Sequence, residues 1–197
     1  GLEGSALSTI LTALVTLLWA NNETGVLFPI PQITQLCRER KIPFHCDGTQ
    51  AVGKIPVHVA HAQLDAMSFA SHKFHGPKGV GGLFTRRGLR FRPLLIGGPQ
   101  ERGRRGGTEN VPGVVGMGKA AELCVQNQAE EIAKITRMRN RLKDGLFNRL
   151  DEIFLNGHPT QRIPNNLNIS FLYVEGESLM MGFSDIAVSS GSASAAR

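Results

Sequence analysis

Apolar and polar positions along the first third of the chain predict a strand, a helix and a second strand. The apolar run at residues 12–20 is rich in strand-forming residues and indicates a strand buried on both faces. Residues 31–40 have a proline near the first turn and predict a helix, whereas residues 42–46 predict a strand. The helix is predicted from three apolar residues at helical spacing: Ile33, Leu36 and Cys37. This order predicts a βαβ unit with a parallel sheet, and therefore an α/β fold.

The rest of the chain continues the strand pattern and then becomes helical. Apolar runs predict further strands at residues 64–70, 79–85, 166–172 and 186–188. Residues 114–150 follow a helical pattern that is long for one globular helix, so we expect it to break or to act as a connector. A short helix is expected near residues 177–183. The change of pattern near residues 115–135 predicts a domain boundary.

Composition and charge indicate a folded protein with an anionic ligand. The 197 residues are 41% hydrophobic and 19% charged, which argues against disorder. The formal net charge of +6 suits an anionic cofactor. Seven arginines share one segment: Arg86, Arg87, Arg90, Arg92, Arg102, Arg104 and Arg105. A nucleic-acid surface would place aromatic residues among them. Only Phe91 is interleaved there, so we expect no nucleic acid partner.

The spacing of the cysteines and the hydropathy of the chain indicate the kind of cellular compartment to expect. The three cysteines are widely spaced without a CxxC pair, which disfavours a disulfide framework and a zinc site and fits a reducing compartment. The histidines show no metal-ligand spacing, so we expect no metal. The longest apolar run, at residues 11–20, is too short to span a bilayer. We see no signal peptide. We expect a cytoplasmic protein without a membrane partner, or a mitochondrial matrix protein if the source is eukaryotic.

Polar residues follow the ends of three predicted parallel strands. Lys73 follows the third strand, in the segment SHKFHGPKGVGG at residues 71–82. In open α/β sheets, ligands bind at the carboxyl ends of the strands. A lysine there could contact a phosphate, act as a general base or form a Schiff base, or it could be a solvated loop residue. Asp47 follows the second strand and Asn22 the first, so all three would face one crevice.

Each of these residues also has an ordinary structural alternative. Asp47 could be a helix N-cap, with Gln50 as its capping-box partner. Asn22 could serve turn formation only. Thr108 lies beside two glycines, where its hydroxyl could contact a phosphate. It could instead cap the helix that follows Pro112. The local pattern leaves these alternatives open.

Taken together, the motifs resemble one enzyme family. These are ANNETG at residues 20–25, DGTQAVGK at 47–54, SHKFHGPKG at 71–79, RRGGTEN at 104–110, VEGESL at 174–179 and AVSSGSA at 187–193. From about residue 12 onward the chain resembles the cysteine desulfurases, class V enzymes of the fold-type I pyridoxal-phosphate group. The sequences of these motifs most resemble those of the branch that supplies sulfur for iron–sulfur clusters. The resemblance implies a fold-type I transferase with a mainly parallel sheet flanked by helices. Residues 1–125 would form part of the large cofactor domain, and residues 126–197 part of a smaller α+β domain.

The resemblance also implies a cofactor, a substrate and partners. The cofactor would be pyridoxal 5′-phosphate, and the substrate L-cysteine. Lys73 would bind the cofactor as a Schiff base and move protons on the substrate, and Asp47 would hold the pyridinium nitrogen. Gln50 would contact the ring oxygen and His72 the phosphate. Asn22 would contact either the cofactor or the carboxylate of the substrate. Thr108 would reach the phosphate of the partner subunit in a homodimer. A sulfur acceptor or scaffold protein would receive the sulfur.

The chain departs from the family pattern at several positions. Ala70 stands where members carry a phosphate-binding serine, with Ser71 beside it. Ser194 stands where they carry the nucleophilic cysteine. The chain also lacks an N-terminal phosphate loop and a late substrate-binding arginine, so we expect it to be the middle of a longer enzyme. With Ser194 we expect it to be inactive as written. The alternatives are a selenocysteine lyase or other class V enzyme, and a non-catalytic scaffold that binds through its arginines.

Overall fold

The computed structural model describes residues 12–183 and 185–186. Within them the chain has an α/β architecture built on a four-stranded sheet and a separate two-stranded sheet. The strands are β1 Val15–Leu18, β2 Phe44–Asp47, β3 Ala66–Ala70, β4 Gly81–Thr85, β5 Ile153–Leu155 and β6 Ile169–Phe171. The helices are α1 Ile30–Glu39, α2 Gln100–Gly103, α3 Val111–Phe147 and α4 Gly176–Met181, with a 3₁₀ helix at Ser71–Phe74.

The main sheet has the order β1-β2-β3-β4. The first three strands are parallel, and β4 returns antiparallel to β3. This arrangement confirms the predicted βαβ unit with its parallel strands. The prediction that the first strand is buried on both faces is wrong. Thr16 is exposed and the preceding Leu14 is 54% exposed, so one face of β1 is open to solvent.

Helix α1 packs against the core through Cys37 and the partly buried Ile33, as predicted, but not through Leu36. Its buried residues are Ile30, Thr34 and Cys37, which recur at helical spacing. Leu36 is 51% exposed instead. Thr34 can be buried because its hydroxyl donates to the carbonyl of Ile30, 2.8 Å away. The core under α1 includes Phe44, Cys46 and Met67 of the sheet.

The helix predicted at residues 114–150 is confirmed as α3, which runs unbroken for 37 residues, so of the two alternatives the break is wrong. The helix begins after Asn110, whose side chain accepts from the backbone N–H of Gly113 at 3.1 Å. Asn110 therefore caps the helix, and the alternative of Thr108 as its N-cap is wrong. The predicted domain boundary between residues 125 and 126 falls inside α3 and stays a prediction.

After α3 the chain forms the two-stranded antiparallel sheet of β5 and β6. The strand predicted at residues 166–172 is confirmed as β6, whereas β5 was not predicted. The short helix expected at residues 177–183 is confirmed as α4. The strand predicted at residues 186–188 lies mostly outside the described residues.

Candidate functional site

The predicted functional residues of the first three strands lie at one edge of the sheet. Leu18 of β1 is paired with Asp47 of β2, and Asp47 with Ser68 of β3, all in parallel register. The carboxyl ends of the three strands are therefore neighbours. Asn22 follows β1, and Lys73 follows β3. This arrangement has the form of a ligand site in an open α/β sheet.

The 3₁₀ helix after β3 determines where Lys73 lies. Its first and last residues, Ser71 and Phe74, are buried, whereas His72 and Lys73 are exposed. Phe74 is held against Gly53, where a Cβ atom would lie only 2.6 Å from the Cβ of Phe74. The buried Phe74 therefore anchors the turn and leaves His72 and Lys73 on its open side.

Ser71 points into this turn. Its hydroxyl oxygen is buried and has no hydrogen-bond partner among the described residues. A Cβ atom on Gly76 would lie 2.0 Å from that oxygen, so the hydroxyl lies directly under the glycine. It is therefore not presented to a phosphate in place of the serine that Ala70 replaces.

A cavity of about 630 Å³ lies between the 3₁₀ helix and α3. Its basic lining residues are Lys54, His72, Lys73 and His75, and Glu131 is the carboxylate in the lining. Cys124 of α3 also contacts the turn, since its Sγ lies 3.6 Å from the carbonyl oxygen of Phe74. The cavity therefore has Lys73 on one side and α3 on the other, and its basic lining suits an anionic ligand.

Asp47 and Gln50 lie in the turn after β2. The Asp47 carboxylate accepts from the backbone N–H of Thr49 at 2.9 Å, through one of its two oxygens. No α-helix begins between Asp47 and the next strand, β3. The alternative of Asp47 as a helix N-cap with Gln50 as its partner is therefore wrong. The Gln50 side-chain oxygen instead accepts from the Lys54 ammonium.

Lys54 connects this turn to the cavity, and sequence reasoning did not single it out. It contacts Gln50 and lines the cavity with Lys73, whereas Asp47 and Gln50 are not lining residues. Burial lowers the pKa of Lys54, and the neighbouring charge of Lys73 lowers it further. The signal in the sequence was the spacing of four residues between Gln50 and Lys54.

Asn22 lies in a turn that Asn21 organises. The Asn21 side-chain oxygen accepts from the backbone N–H groups of Glu23 and Thr24 at 2.9 and 2.8 Å. The turn chemistry is therefore supplied by Asn21, which leaves the Asn22 side chain for another role. A second organiser of this turn, Arg162, was not found from the sequence.

Thr108 and Ser194 are the remaining predicted site residues. Thr108 is exposed, two residues before the Asn110 cap, and it is not among the residues that line the cavity. Ser194 lies outside the described residues. The role of each predicted site residue stays a prediction.

No group of three or more His, Cys, Asp or Glu residues in residues 12–183 and 185–186 is placed to hold a metal ion. No helix of that part combines the length and the apolarity that a bilayer span requires.

Comparison with known proteins agrees with this arrangement. The sequence profile described as aminotransferase class V matches residues 5–197. The chain belongs to this family. It is 53% identical over 184 residues to a cysteine desulfurase of Trichormus azollae, and the match covers 92% of this chain and 46% of that protein. The chain thus spans about half the length of the curated relatives that it matches.

Two solved structures share the fold. A NifS-like protein from Rickettsia africae superimposes with a TM-score of 0.85 at 32% identity, covering 91% of this chain and 50% of that one. The structure titled SspA in complex with cysteine has a TM-score of 0.69 at 30% identity, covering 92% and 50%. These similarities confirm the predicted family resemblance and the predicted fold class.

Proposed function

We propose that the protein is a pyridoxal-phosphate-dependent cysteine desulfurase of the branch that supplies sulfur for iron–sulfur clusters. The observation that carries this proposal is the position of Lys73, exposed on a cavity at the carboxyl edge of the sheet where Asp47 ends the neighbouring strand. The family supports the cofactor, and the names of the similar proteins support the reaction.

The described residues fit pyridoxal phosphate. The cofactor presents an aldehyde, a pyridinium nitrogen, a phenolic oxygen and a phosphate. Lys73 supplies an exposed amine for the aldehyde, and Asp47 has a carboxylate oxygen that Thr49 does not occupy. Because the Gln50 oxygen is occupied by Lys54, its NH₂ group is left as a donor. His72 is an exposed imidazole on the cavity.

Each residue then has a defined task. When bound, the cofactor withdraws electrons from the α-carbon of an amino acid. Asp47 keeps a proton on the ring nitrogen, which that withdrawal requires. Lys73 holds the cofactor and afterwards carries the proton at the substrate α-carbon. The Gln50 amide donates to the ring oxygen, His72 binds the phosphate, and Asn22 contacts the cofactor or the substrate carboxylate.

Thr108 supports a shared site in a homodimer. Its hydroxyl is exposed on the segment that leads into α3, away from the cavity of its own chain. In a twofold dimer, one such segment from each subunit can reach the phosphate of the other. A sulfur acceptor or scaffold protein is the further partner. The three cysteines are all free thiols, which supports a cytoplasmic protein, or a matrix protein in a eukaryote.

Ser194 occupies the position of the nucleophile that the sulfur-transfer step requires. Desulfuration requires a thiolate that attacks the sulfur of substrate cysteine, leaving alanine and carrying the sulfur as a persulfide. A cysteine thiol with a pKa of about 8.5 supplies some thiolate at neutral pH, whereas a serine hydroxyl does not. We therefore propose that the chain binds cofactor and cysteine but does not complete desulfuration with Ser194.

The experiment compares Ser194 with Ser194→Cys. Because the chain spans about half the length of its relatives, both forms are completed with the flanking segments of a relative, loaded with pyridoxal phosphate and given cysteine. We expect both to develop the visible absorbance of bound cofactor. Only the Ser194→Cys form should release alanine and sulfide. If neither binds cofactor, the proposed function is wrong. If the Ser194 form turns over equally fast, the nucleophile is elsewhere.

A further inference from the structure

Lys54 and Gln50 form a contact within the turn that follows β2. The Lys54 ammonium donates to the side-chain oxygen of Gln50, four residues earlier. Lys54 is half-buried, and backbone hydrogen bonds within the turn hold the residues between the two. The Lys54 N–H and that of Ile55 both donate to the carbonyl of Ala51, at 3.0 and 3.1 Å. The contact therefore belongs to an ordered turn.

The chemistry of the contact fixes the orientation of the amide. An ammonium group has three donors and no acceptor, so only the oxygen of Gln50 can face Lys54. The NH₂ group of Gln50 must then point to the other side. Without Lys54 the amide could rotate by half a turn and present its oxygen instead. An amide oxygen would repel the phenolate oxygen of the cofactor ring, whereas an NH₂ group would donate a hydrogen bond to that oxygen.

Lys54 also shares a cavity with the amine that would hold the cofactor. Both Lys54 and Lys73 line the cavity, with Glu131 as the lining carboxylate. Burial lowers the pKa of Lys54, and the charge of Lys73 contributes in the same direction. Lys54 thus contacts the turn that carries Asp47 and Gln50 and faces the cavity of Lys73.

We propose that Lys54 is a positioning residue of the cofactor site, holding the Gln50 amide so that its NH₂ group donates to the ring oxygen of pyridoxal phosphate. This inference rests on the proposed function. It concerns a residue that touches Gln50 and acts through it. The role requires a hydrogen-bond donor at position 54, whereas a role in packing would require only the aliphatic chain.

The test is a double-mutant cycle on cofactor binding. The dissociation constant of pyridoxal phosphate is measured by absorbance titration for the unmodified protein, Lys54→Met, Gln50→Leu and the double variant, each completed with the same flanking segments of a relative as above. Methionine keeps the length of the side chain without the donor. We expect Lys54→Met to bind about tenfold more weakly, as for the loss of one oriented hydrogen bond. The double variant should bind no more weakly than Gln50→Leu alone.

Two further variants serve as controls. Lys54→Arg keeps a donor and should retain binding within about twofold of the unmodified protein. Lys119→Met removes an exposed lysine, paired with Glu122 on α3, and should leave binding unchanged. Urea unfolding of each variant checks that the fold is kept, and the visible band of the bound cofactor is recorded against pH. In Lys54→Met we expect a shift in the pH at which that band changes, because the donor to the ring oxygen is no longer held in place.

The outcomes separate the inference from the proposed function. Additive losses in the cycle, or unchanged binding by Lys54→Met, would overturn the role of Lys54 while leaving the proposed function standing. An equal loss in Lys54→Met and Lys54→Arg would show that a donor at position 54 is not what matters and would also overturn it. If the unmodified protein does not bind pyridoxal phosphate, the proposed function fails and the inference fails with it.

Discussion

The guanidinium of Arg162 donates a hydrogen bond to the backbone carbonyl of Thr24, 2.7 Å away and 138 positions earlier in the sequence. The same Arg162 nitrogen also reaches the Asn166 side-chain oxygen at 3.1 Å. Asn166 in turn donates to the carbonyl of Glu23 at 2.6 Å. The turn that presents Asn22 is therefore held by residues from the segment between β5 and β6.

Replacing Arg162 should destabilise the protein. Arg162 is only 6% exposed, and its substitution by methionine leaves the part-buried carbonyl of Thr24 without this donor. We expect Arg162→Met to lower the free energy of unfolding by about 1–3 kcal/mol, measured in urea. Arg141→Met, at an exposed position of α3, should change it by less than about 0.5 kcal/mol. Equal effects of the two substitutions would contradict the role given to Arg162.

Gly53 should be more sensitive to substitution than Gly79. Both glycines have positive φ angles, 80° and 77°, so alanine strains the backbone at either position. A Cβ atom at Gly53 would also collide with Phe74, whereas at Gly79 it would meet nothing within 4 Å. We expect Gly53→Ala to be less stable than Gly79→Ala by about 1 kcal/mol or more in urea unfolding.

Gly53→Ala should also weaken cofactor binding, because the displaced Phe74 carries Lys73 with it. An absorbance titration with pyridoxal phosphate compares the two alanine variants. If Gly79→Ala is as unstable as Gly53→Ala, the contact with Phe74 does not position the turn.

Cys46 should make the protein less stable at alkaline pH. Burial, with a smaller contribution from the charge of Asp47, raises the pKa of its thiol from an ordinary value of 9.0 to about 12. The unfolded chain loses this proton first, so folding stability falls as the pH rises above about 9. At pH 10 the loss from Cys46 is about 1.4 kcal/mol, since one pKa unit corresponds to about that free energy.

The measurement is the unfolding free energy at pH 8 and pH 10 for the unmodified protein and Cys46→Ala. The alanine variant leaves a small cavity and should be less stable at both pH values. Its decrease between them should be smaller by about 1.4 kcal/mol. Parallel curves for the two proteins would show that the Cys46 thiol is not protected from ionisation in the folded state.

The sheet and its functional edge could be predicted because each apolar run is followed by a distinctive polar residue. Asp47 and Lys73 follow such runs, and parallel strands bring their carboxyl ends to one edge. The strand β5 was missed because it has only three residues and no alternating pattern, with Phe154 52% exposed. The sequence predicted the helix α3 but left open whether it breaks, because its length exceeds that of ordinary globular helices.

The connections around the site could not be predicted from local patterns. The contact of Arg162 with Thr24 joins residues that only the tertiary structure brings together. The contact of Lys54 with Gln50 depends on the turn after β2, which forms no α-helix although Asp47 resembles an N-cap. The motifs identify which residues are functional, but turn geometry and long-range packing decide what each of them contacts.

The lysine that carries the cofactor can be identified chemically. The protein, completed with the flanking segments of a relative, is incubated with pyridoxal phosphate, reduced with borohydride, digested and analysed by peptide mass spectrometry. Lys73 lies on the cavity at the carboxyl edge of the sheet, and Lys78, an exposed lysine of the same segment, is the internal control. The account predicts the label on Lys73 and its loss in Lys73→Ala but not in Lys78→Ala. A label on Lys54 or Lys78 with Lys73 unmodified would contradict it.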